Sequence, residues 1–170
     1  VRRANPEAFE EMHQLAQRRD KTAIKALGRM GDGADEAVET LLEYVDADSD
    51  PGLQKVTLRA LGEIGSTGAT QAIADKLEMD NDNVRPYVAR ALGLIGDTRA
   101  VEPLADTLAE DDSDTVRAAA AWALRQIGTE AALEPVSEYT DERSYLVQHE
   151  ADLAAAALGD ADADAEAPAA

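Results

Sequence analysis

Few residues in this chain have the types and spacing that chemistry requires. His149 and Glu150 are adjacent, and imidazole beside carboxylate is a combination that binds transition metals. A metal site needs further ligands from facing elements, and the only other histidine, His13, lies near the start of the chain. There is no cysteine to act as nucleophile, and the carboxylates are too evenly spread for any acid–base pair to stand out. The sequence therefore predicts no catalytic residue, no metal site and no cofactor.

The chain is organised instead around a repeated helix. In VRPYVARALGLIGD, residues 84–97, apolar residues recur at the three- and four-residue spacing of one helix face. A glycine then ends the helix, because it takes the left-handed conformation without steric cost. The same unit recurs along the chain with stop glycines 31 to 34 residues apart, at Gly31, Gly65, Gly96, Gly128 and Gly159. Such a period predicts stacked helical repeats.

A shorter second helix is predicted after each stop glycine, and acidic turns lead to the next repeat. These second helices are expected at residues 34–45, 67–79, 98–110 and 130–140. Pro103 and Pro135 are expected in their first turns, where a missing N–H is tolerated. The predicted organisation is a capping helix at residues 1–18, a solenoid of about four and a half repeats at 19–160, and a disordered acidic tail at 161–170.

Charge is the second strong feature of the composition. Thirty-five acidic residues oppose sixteen basic ones, giving a net charge of −19, and only four of the basic residues are lysine. Molar salt shortens the Debye length to roughly 3 Å, so such a surface is tolerated in salt-accumulating organisms. We therefore expect a halophilic source, such as a haloarchaeon. No apolar run reaches the ~20 residues of a membrane span and no signal peptide is visible, which predicts a soluble cytoplasmic protein.

The pattern VRxxAAxALGxIGD followed by AVEPL resembles the HEAT-like repeat of the bilin-lyase (PBS lyase) type, also used in artificial consensus-repeat binders. The resemblance covers residues 19–160. It implies an all-α protein folded as a right-handed α-solenoid of antiparallel helix pairs. It says less about function, because one repeat fold serves enzymes, chaperones and adaptors.

In that family the first helices line the concave face, and the resemblance implies which of their positions are exposed there. Those positions are Lys21, Thr22, Lys25, Arg29, Lys55, Val56, Arg59, Glu63, Pro86, Tyr87, Arg90, Leu94, Ala118, Ala119, Trp122, Gln126, His149, Glu150, Leu153 and Ala157. The predicted partner-binding residues among them are Lys25, Lys55, Arg59, Tyr87, Arg90, Leu94, Trp122, Gln126, His149 and Leu153. This set is rich in cations towards the N-terminus and in apolar and aromatic residues beyond, the side chains that dominate binding hot spots.

The sequence thus predicts a non-catalytic adaptor that binds another protein in this groove, through an acidic or amphipathic segment. Nucleic acid is disfavoured, since six phosphate contacts would lose about three orders of magnitude in affinity between 50 and 200 mM salt. The chain's own acidic tail is a second candidate occupant. The alternative function is an enzyme or accessory of bilin-lyase or deoxyhypusine-hydroxylase type. Those hydroxylases carry several His–Glu pairs at this place in the repeat, whereas here only His149–Glu150 matches.

Overall fold

A computed structural model describes residues 6–46 and 50–165 of the chain. Helices joined by short turns and single 3₁₀ segments make up this part of the chain, which has no strand. The helices are α1 (Pro6–Ala16), α2 (Lys21–Met30), α3 (Val38–Asp46), α4 (Pro51–Ile64), α5 (Thr70–Ala74), α6 (Arg85–Ile95), α7 (Val101–Glu110), α8 (Asp114–Ile127), α9 (Glu130–Ser137) and α10 (Tyr145–Ala165). The predicted all-α solenoid is confirmed.

The first helices of the repeats, α2, α4, α6, α8 and α10, pack against one another in chain order. The second helices, α3, α5, α7 and α9, form the other layer, and each packs against the first helix of the following repeat. In α6 the predicted apolar face is buried at Val88 and Leu92, while Ile95 is half-buried. The helix period of the sequence therefore places the core between the two layers.

Glycines end four of the first helices as predicted. Gly65, Gly96 and Gly128 are left-handed, with φ between 69° and 75°, and Gly31 also has positive φ. The prediction is wrong at Gly159, because α10 continues through it to Ala165 and so enters the segment expected to be a disordered tail. Alanine at every second position after this glycine favours helix. Residues 166–170 lie outside the described residues.

A second kind of glycine sits where neighbouring first helices cross. A Cβ atom on Gly28 would lie 2.9 Å from Ala60 Cα, and one on Gly93 would lie 2.7 Å from Ala123 Cα. Real Cβ atoms essentially never approach a backbone carbon this closely. The absence of a side chain therefore lets the first helices approach one another closely.

Two arginines of the repeat pattern join successive elements. Arg85 donates to both carboxylate oxygens of Asp111, at 2.9 and 3.1 Å, and to the carbonyl of Met79. Arg117 pairs with Glu142 and donates to the carbonyl of Leu108 at 3.0 Å. Each guanidinium links its own helix to the preceding second helix or turn and to the turn that begins the next repeat. These side chains have structural roles.

The second helices differ from the prediction in how they begin. A 3₁₀ turn at Thr98–Ala100 precedes α7, which places Pro103 in its first turn as expected. By contrast, α9 starts directly at Glu130, so Pro135 lies inside the helix and the prediction for it is wrong. Pro103 and Pro135 both lie seven residues after the preceding stop glycine, but only the segment that holds Pro103 opens with a 3₁₀ turn. None of the described helices combines the length and apolar character that crossing a membrane requires.

Candidate binding groove

The exposed ridges of the first helices form one surface of the stack, and the repeat resemblance implies that this is the concave face. Close glycine–alanine crossings hold these helices together, and their mutual contacts are more extensive than those between second helices. We call this surface the groove and define it by the ten predicted partner-binding residues together with Arg29.

All ten of these residues reach solvent. Lys55 and Trp122 are half-buried, and the other eight are exposed: Lys25, Arg59, Tyr87, Arg90, Leu94, Gln126, His149 and Leu153. Two of the other positions implied by the repeat pattern are wrong, because Pro86 and Ala119 are buried. Both side chains are short, so the longer side chains of the ridge rise above them and cover them.

The N-terminal half of the groove is a basic cleft between α2 and α4. It has a volume of about 360 Å³ and is lined by Lys25, Arg29, Lys55, Val56, Arg59, Glu63 and Tyr87. Arg59 donates to Glu63 at 2.7 Å, and this carboxylate raises the pKa of Arg59. The other cations of the cleft are not neutralised in this way. Within the described residues, neither Lys25, Arg29 nor Lys55 has a carboxylate within 4.0 Å.

Two of the groove cations lie over aromatic rings of the next helix. Lys55 Nζ is 5.2 Å from the centroid of the Tyr87 ring, and Arg90 Cζ is 5.5 Å from that of Trp122. Each such contact contributes about 0.5–1 kcal/mol at an exposed site. The rings fix the position of the cations without cancelling their charge, so both can still attract a carboxylate.

Next to the basic cleft lies a more apolar cleft over α6, bordered by α4 on one side and α8 on the other. It has a volume of about 310 Å³ and is lined by Arg59, Glu63, Tyr87, Arg90, Ala91, Leu94 and Trp122. Leu94 is 48% exposed and Tyr87 is 39% exposed. The two clefts share Arg59, Glu63 and Tyr87, and are therefore continuous. Gln126, His149 and Leu153 line neither of them.

The His149–Glu150 pair does not fit a metal site. Glu150 accepts a hydrogen bond from Arg125 Nε at 2.7 Å, and His149 stacks on Tyr145 with ring centroids 6.1 Å apart. His13 lies on α1, where it contacts Thr40 at 3.4 Å. No group of three or more His, Cys, Asp or Glu side chains in the described residues is placed to hold a metal. The residues present therefore do not fit the dinuclear iron site of a hydroxylase.

Arg125 is a residue that the sequence reasoning missed. It occupies the repeat position at which α2, α4 and α6 carry Gly28, Gly62 and Gly93. The junction between α8 and α10 thus depends on an ion pair where the earlier junctions depend on close backbone packing. A charged residue at a position where the three earlier first helices carry glycine was the available signal.

Paired helices stacked in two layers around a continuous groove define this chain as a helical-repeat solenoid. It belongs to the HEAT-repeat family, since the model for HEAT repeats matches residues 38–125 and 73–158. The model for the PBS lyase HEAT-like repeat also matches, at residues 21–47. These matches confirm the HEAT-like resemblance. No curated protein sequence matches the chain significantly.

Three solved structures show a similar fold. Human deoxyhypusine hydroxylase in complex with glycerol is 26% identical with a TM-score of 0.63, over 72% of this chain and 43% of the enzyme. An engineered protein is 22% identical with a TM-score of 0.59, over 91% of this chain and 85% of its own. A designed armadillo repeat protein in complex with the peptide (KR)4 is 20% identical with a TM-score of 0.58, over 90% and 81%. This chain thus spans less than half of the human enzyme.

Proposed function

We propose that this protein is a non-catalytic adaptor that holds an acidic or amphipathic segment of another protein in its groove. The observation that supports this most strongly is the state of the groove cations. Lys25, Arg29, Lys55 and Arg90 all lack a carboxylate partner within the described residues, in a chain with 35 acidic residues.

Basic residues outside the groove are mostly neutralised. The ion-paired ones are Lys21, Arg59, Lys76, Arg85, Arg99, Arg117 and Arg125, and of these only Arg59 belongs to the groove. Carboxylates greatly outnumber cations in this chain, yet adjacent cations on the groove surface are unpaired within the described residues. This arrangement favours an anionic ligand. The resulting field also steers that ligand towards the groove during encounter.

A protein segment suits this groove better than nucleic acid does. Both kinds of ligand are anionic, but a polyphosphate would be held by phosphate contacts alone, and these weaken steeply as salt rises. Contacts to Tyr87, Leu94 and Trp122 would be apolar, and salt does not screen them. A designed solenoid of similar fold forms a complex with a peptide of alternating lysine and arginine. Within the described residues, the groove of this chain carries unpaired cations, so the expected segment is acidic.

The alternative function is a hydroxylase-like enzyme or accessory, favoured by the likeness to the human enzyme. The engagement of Glu150 by Arg125 argues against it. Metal analysis and an absorbance spectrum of the purified protein distinguish the two functions, since bound iron or a chromophore would favour the enzyme. A salt-rich cytoplasm is the setting that we propose for the adaptor, because its acidic surface suits molar salt.

A pull-down with charge-matched baits tests the adaptor function. The groove bait carries Lys55→Glu and Arg90→Glu, and the control bait carries Arg18→Glu and Arg143→Glu. Arg18 and Arg143 are exposed, line neither cleft and lack a carboxylate partner in the described residues. Both baits therefore change net charge equally and break no ion pair. We expect at least one partner that the wild type and the control retain and the groove bait loses. Identical partner sets with all three baits would place binding elsewhere.

A further inference from the structure

We propose, resting on the function proposed above, that the groove recognises a two-part segment. Carboxylates at one end bind in the basic cleft at Lys25 and Lys55, and one bulky apolar side chain occupies the cleft formed by Tyr87, Leu94 and Trp122. The two parts lie about five or six residues apart in an extended chain.

The acidic part is specified by charge geometry at the α2–α4 cleft. Lys25 and Arg29 lie one helical turn apart on α2, and Lys55 faces them from α4. All three cations reach solvent without a carboxylate partner in the described residues. Three unpaired cations around one cleft form a site for two or more closely spaced carboxylates.

The apolar part is specified by Leu94. At the equivalent position the other first helices of the basic cleft carry Arg29 and Glu63, and α8 carries Gln126. Only in α6 does a large apolar residue occupy this position, and it is 48% exposed beside Tyr87 and Trp122. An exposed leucine between two aromatic rings forms a cleft that a leucine or phenylalanine side chain would fill.

The spacing between the two parts follows from helix packing. Lys25 and Lys55 belong to α2 and α4, whereas Leu94 and Trp122 belong to α6 and α8, so the cation pair and the apolar pair lie two helix steps apart along the stack. Packed helices are about 8–10 Å apart, so the separation is about 16–20 Å. An extended peptide rises about 3.3 Å per residue, which gives about five or six residues. The unpaired Arg90 borders the apolar cleft and can bind an additional carboxylate in the intervening stretch.

The single tryptophan makes this testable without a label. Trp122 lines the apolar cleft, so its fluorescence reports side chains that enter it. The probes are synthetic peptides with an Asp-Asp-Glu block, a Gly/Ser spacer and one leucine. In the matched peptide about five residues separate the middle acid from the leucine. One comparison peptide shortens the separation to about two residues, and another replaces the leucine by serine.

We expect the matched peptide to bind most tightly and to shift the Trp122 emission. Serine in place of leucine, or the short spacer, should weaken binding about tenfold or more, because the apolar side chain stays in water. Leu94→Ser should remove the preference for leucine, and Lys25→Glu with Lys55→Glu should weaken every acidic peptide. The matched controls are Leu146→Ser for Leu94→Ser, and Arg18→Glu with Arg143→Glu for the lysine double variant, since all three residues are exposed and line neither cleft.

The outcomes separate this inference from the proposed function. Equal affinity for all acidic peptides would overturn the two-part recognition while leaving an acid-binding adaptor in place. No binding by any of these peptides would also overturn it, and the charge-matched pull-down would then decide the adaptor function by itself. If the control variants weaken peptide binding as much as the groove variants do, binding occurs outside the groove.

Discussion

At the residue scale, Asp97 shows how one side chain joins two repeats. It follows the stop glycine of α6 and accepts hydrogen bonds from Thr70 Oγ1 at 2.8 Å and from the backbone N–H of Arg99 at 3.0 Å. The guanidinium of Arg99 also binds this carboxylate and donates to the carbonyl of Thr67 at 2.6 Å. These interactions, with the Arg99 side chain foremost, hold the pKa of Asp97 well below its usual range.

This arrangement predicts a specific pH dependence. A carboxyl group whose pKa is lowered by folding stabilises the protein above its unfolded pKa of about 4, and that stabilisation is lost as pH falls through the lower folded pKa. Asp97→Asn should therefore cost about 1–3 kcal/mol of unfolding free energy at neutral pH. The difference from the wild type should shrink as the pH falls below about 4. Urea unfolding at several pH values measures this.

The control for this prediction is Asp152→Asn. Asp152 is exposed on α10, and none of the hydrogen bonds or ion pairs seen in the described residues involves its side chain. Its replacement should leave stability nearly unchanged across the same pH range. If the unfolding free energy lost by Asp97→Asn stays constant down to the lowest pH, the side chain acts through its hydrogen-bond geometry and not through its charge.

At the element scale, the spacing between first helices depends on residues without side chains. Gly93 lies in the middle of α6, where a Cβ would meet both Cα and Cβ of Ala123 at under 3.0 Å. Helix propensity alone favours alanine over glycine there by about 1 kcal/mol. The close crossing of α6 and α8 therefore makes glycine the better residue at a position where helix propensity alone favours alanine.

Gly93→Ala should consequently destabilise the protein, by about 1–3 kcal/mol, because α6 and α8 must move apart. Thermal and urea unfolding measure the effect. Gly68→Ala is the control: its nearest neighbour is Ser66 Oγ at 3.8 Å, and its φ is not positive, so that variant should be neutral or slightly stabilising. If Gly93→Ala is as stable as the control, α6 and α8 are not held at so close a distance.

The repeat pattern predicted most of the elements because helix periodicity and stop glycines are local signals. The first helices and the left-handed Gly96 follow from it directly. The start of α9 does not, because Pro103 and Pro135 have the same spacing from their stop glycines, and that spacing does not show which segment opens with a 3₁₀ turn. The continuation of α10 through Gly159 also escaped prediction, since a glycine ends a helix only where the chain has to turn.

The groove was predictable only in part, for a similar reason. Position within the repeat predicts which side chains face solvent, and it is right for residues such as Lys25 and Leu94. It cannot predict contacts between repeats, such as Lys55 over Tyr87, because these depend on the offset between neighbouring helices. It also missed Arg125, whose partner Glu150 lies a whole repeat further along.

At the scale of the whole molecule, charge is separated between two surfaces. Unpaired cations lie in the groove, whereas a cleft lined in part by α5, α7 and the turns that follow them carries mostly carboxylates. Four of these carboxylates are exposed and pair with no cation within the described residues: Glu78, Asp106, Glu110 and Asp112. Their mutual repulsion opposes folding at low salt, and screening by added salt removes it.

We therefore expect the melting temperature to rise between about 0.1 and about 2 M KCl, as the Debye length falls from about 10 Å to about 3 Å or less. For a chain of this length about 2 kcal/mol of added stability corresponds to about 4–8 °C. A variant with Glu78→Gln, Asp106→Asn, Glu110→Gln and Asp112→Asn should melt higher at low salt and respond less to KCl, because less repulsion remains to be screened. If the melting temperatures of the wild type and the variant rise in parallel with KCl, salt stabilises the protein by strengthening apolar burial and not by screening these four carboxylates. A flat or falling wild-type curve would remove the case for adaptation to high salt.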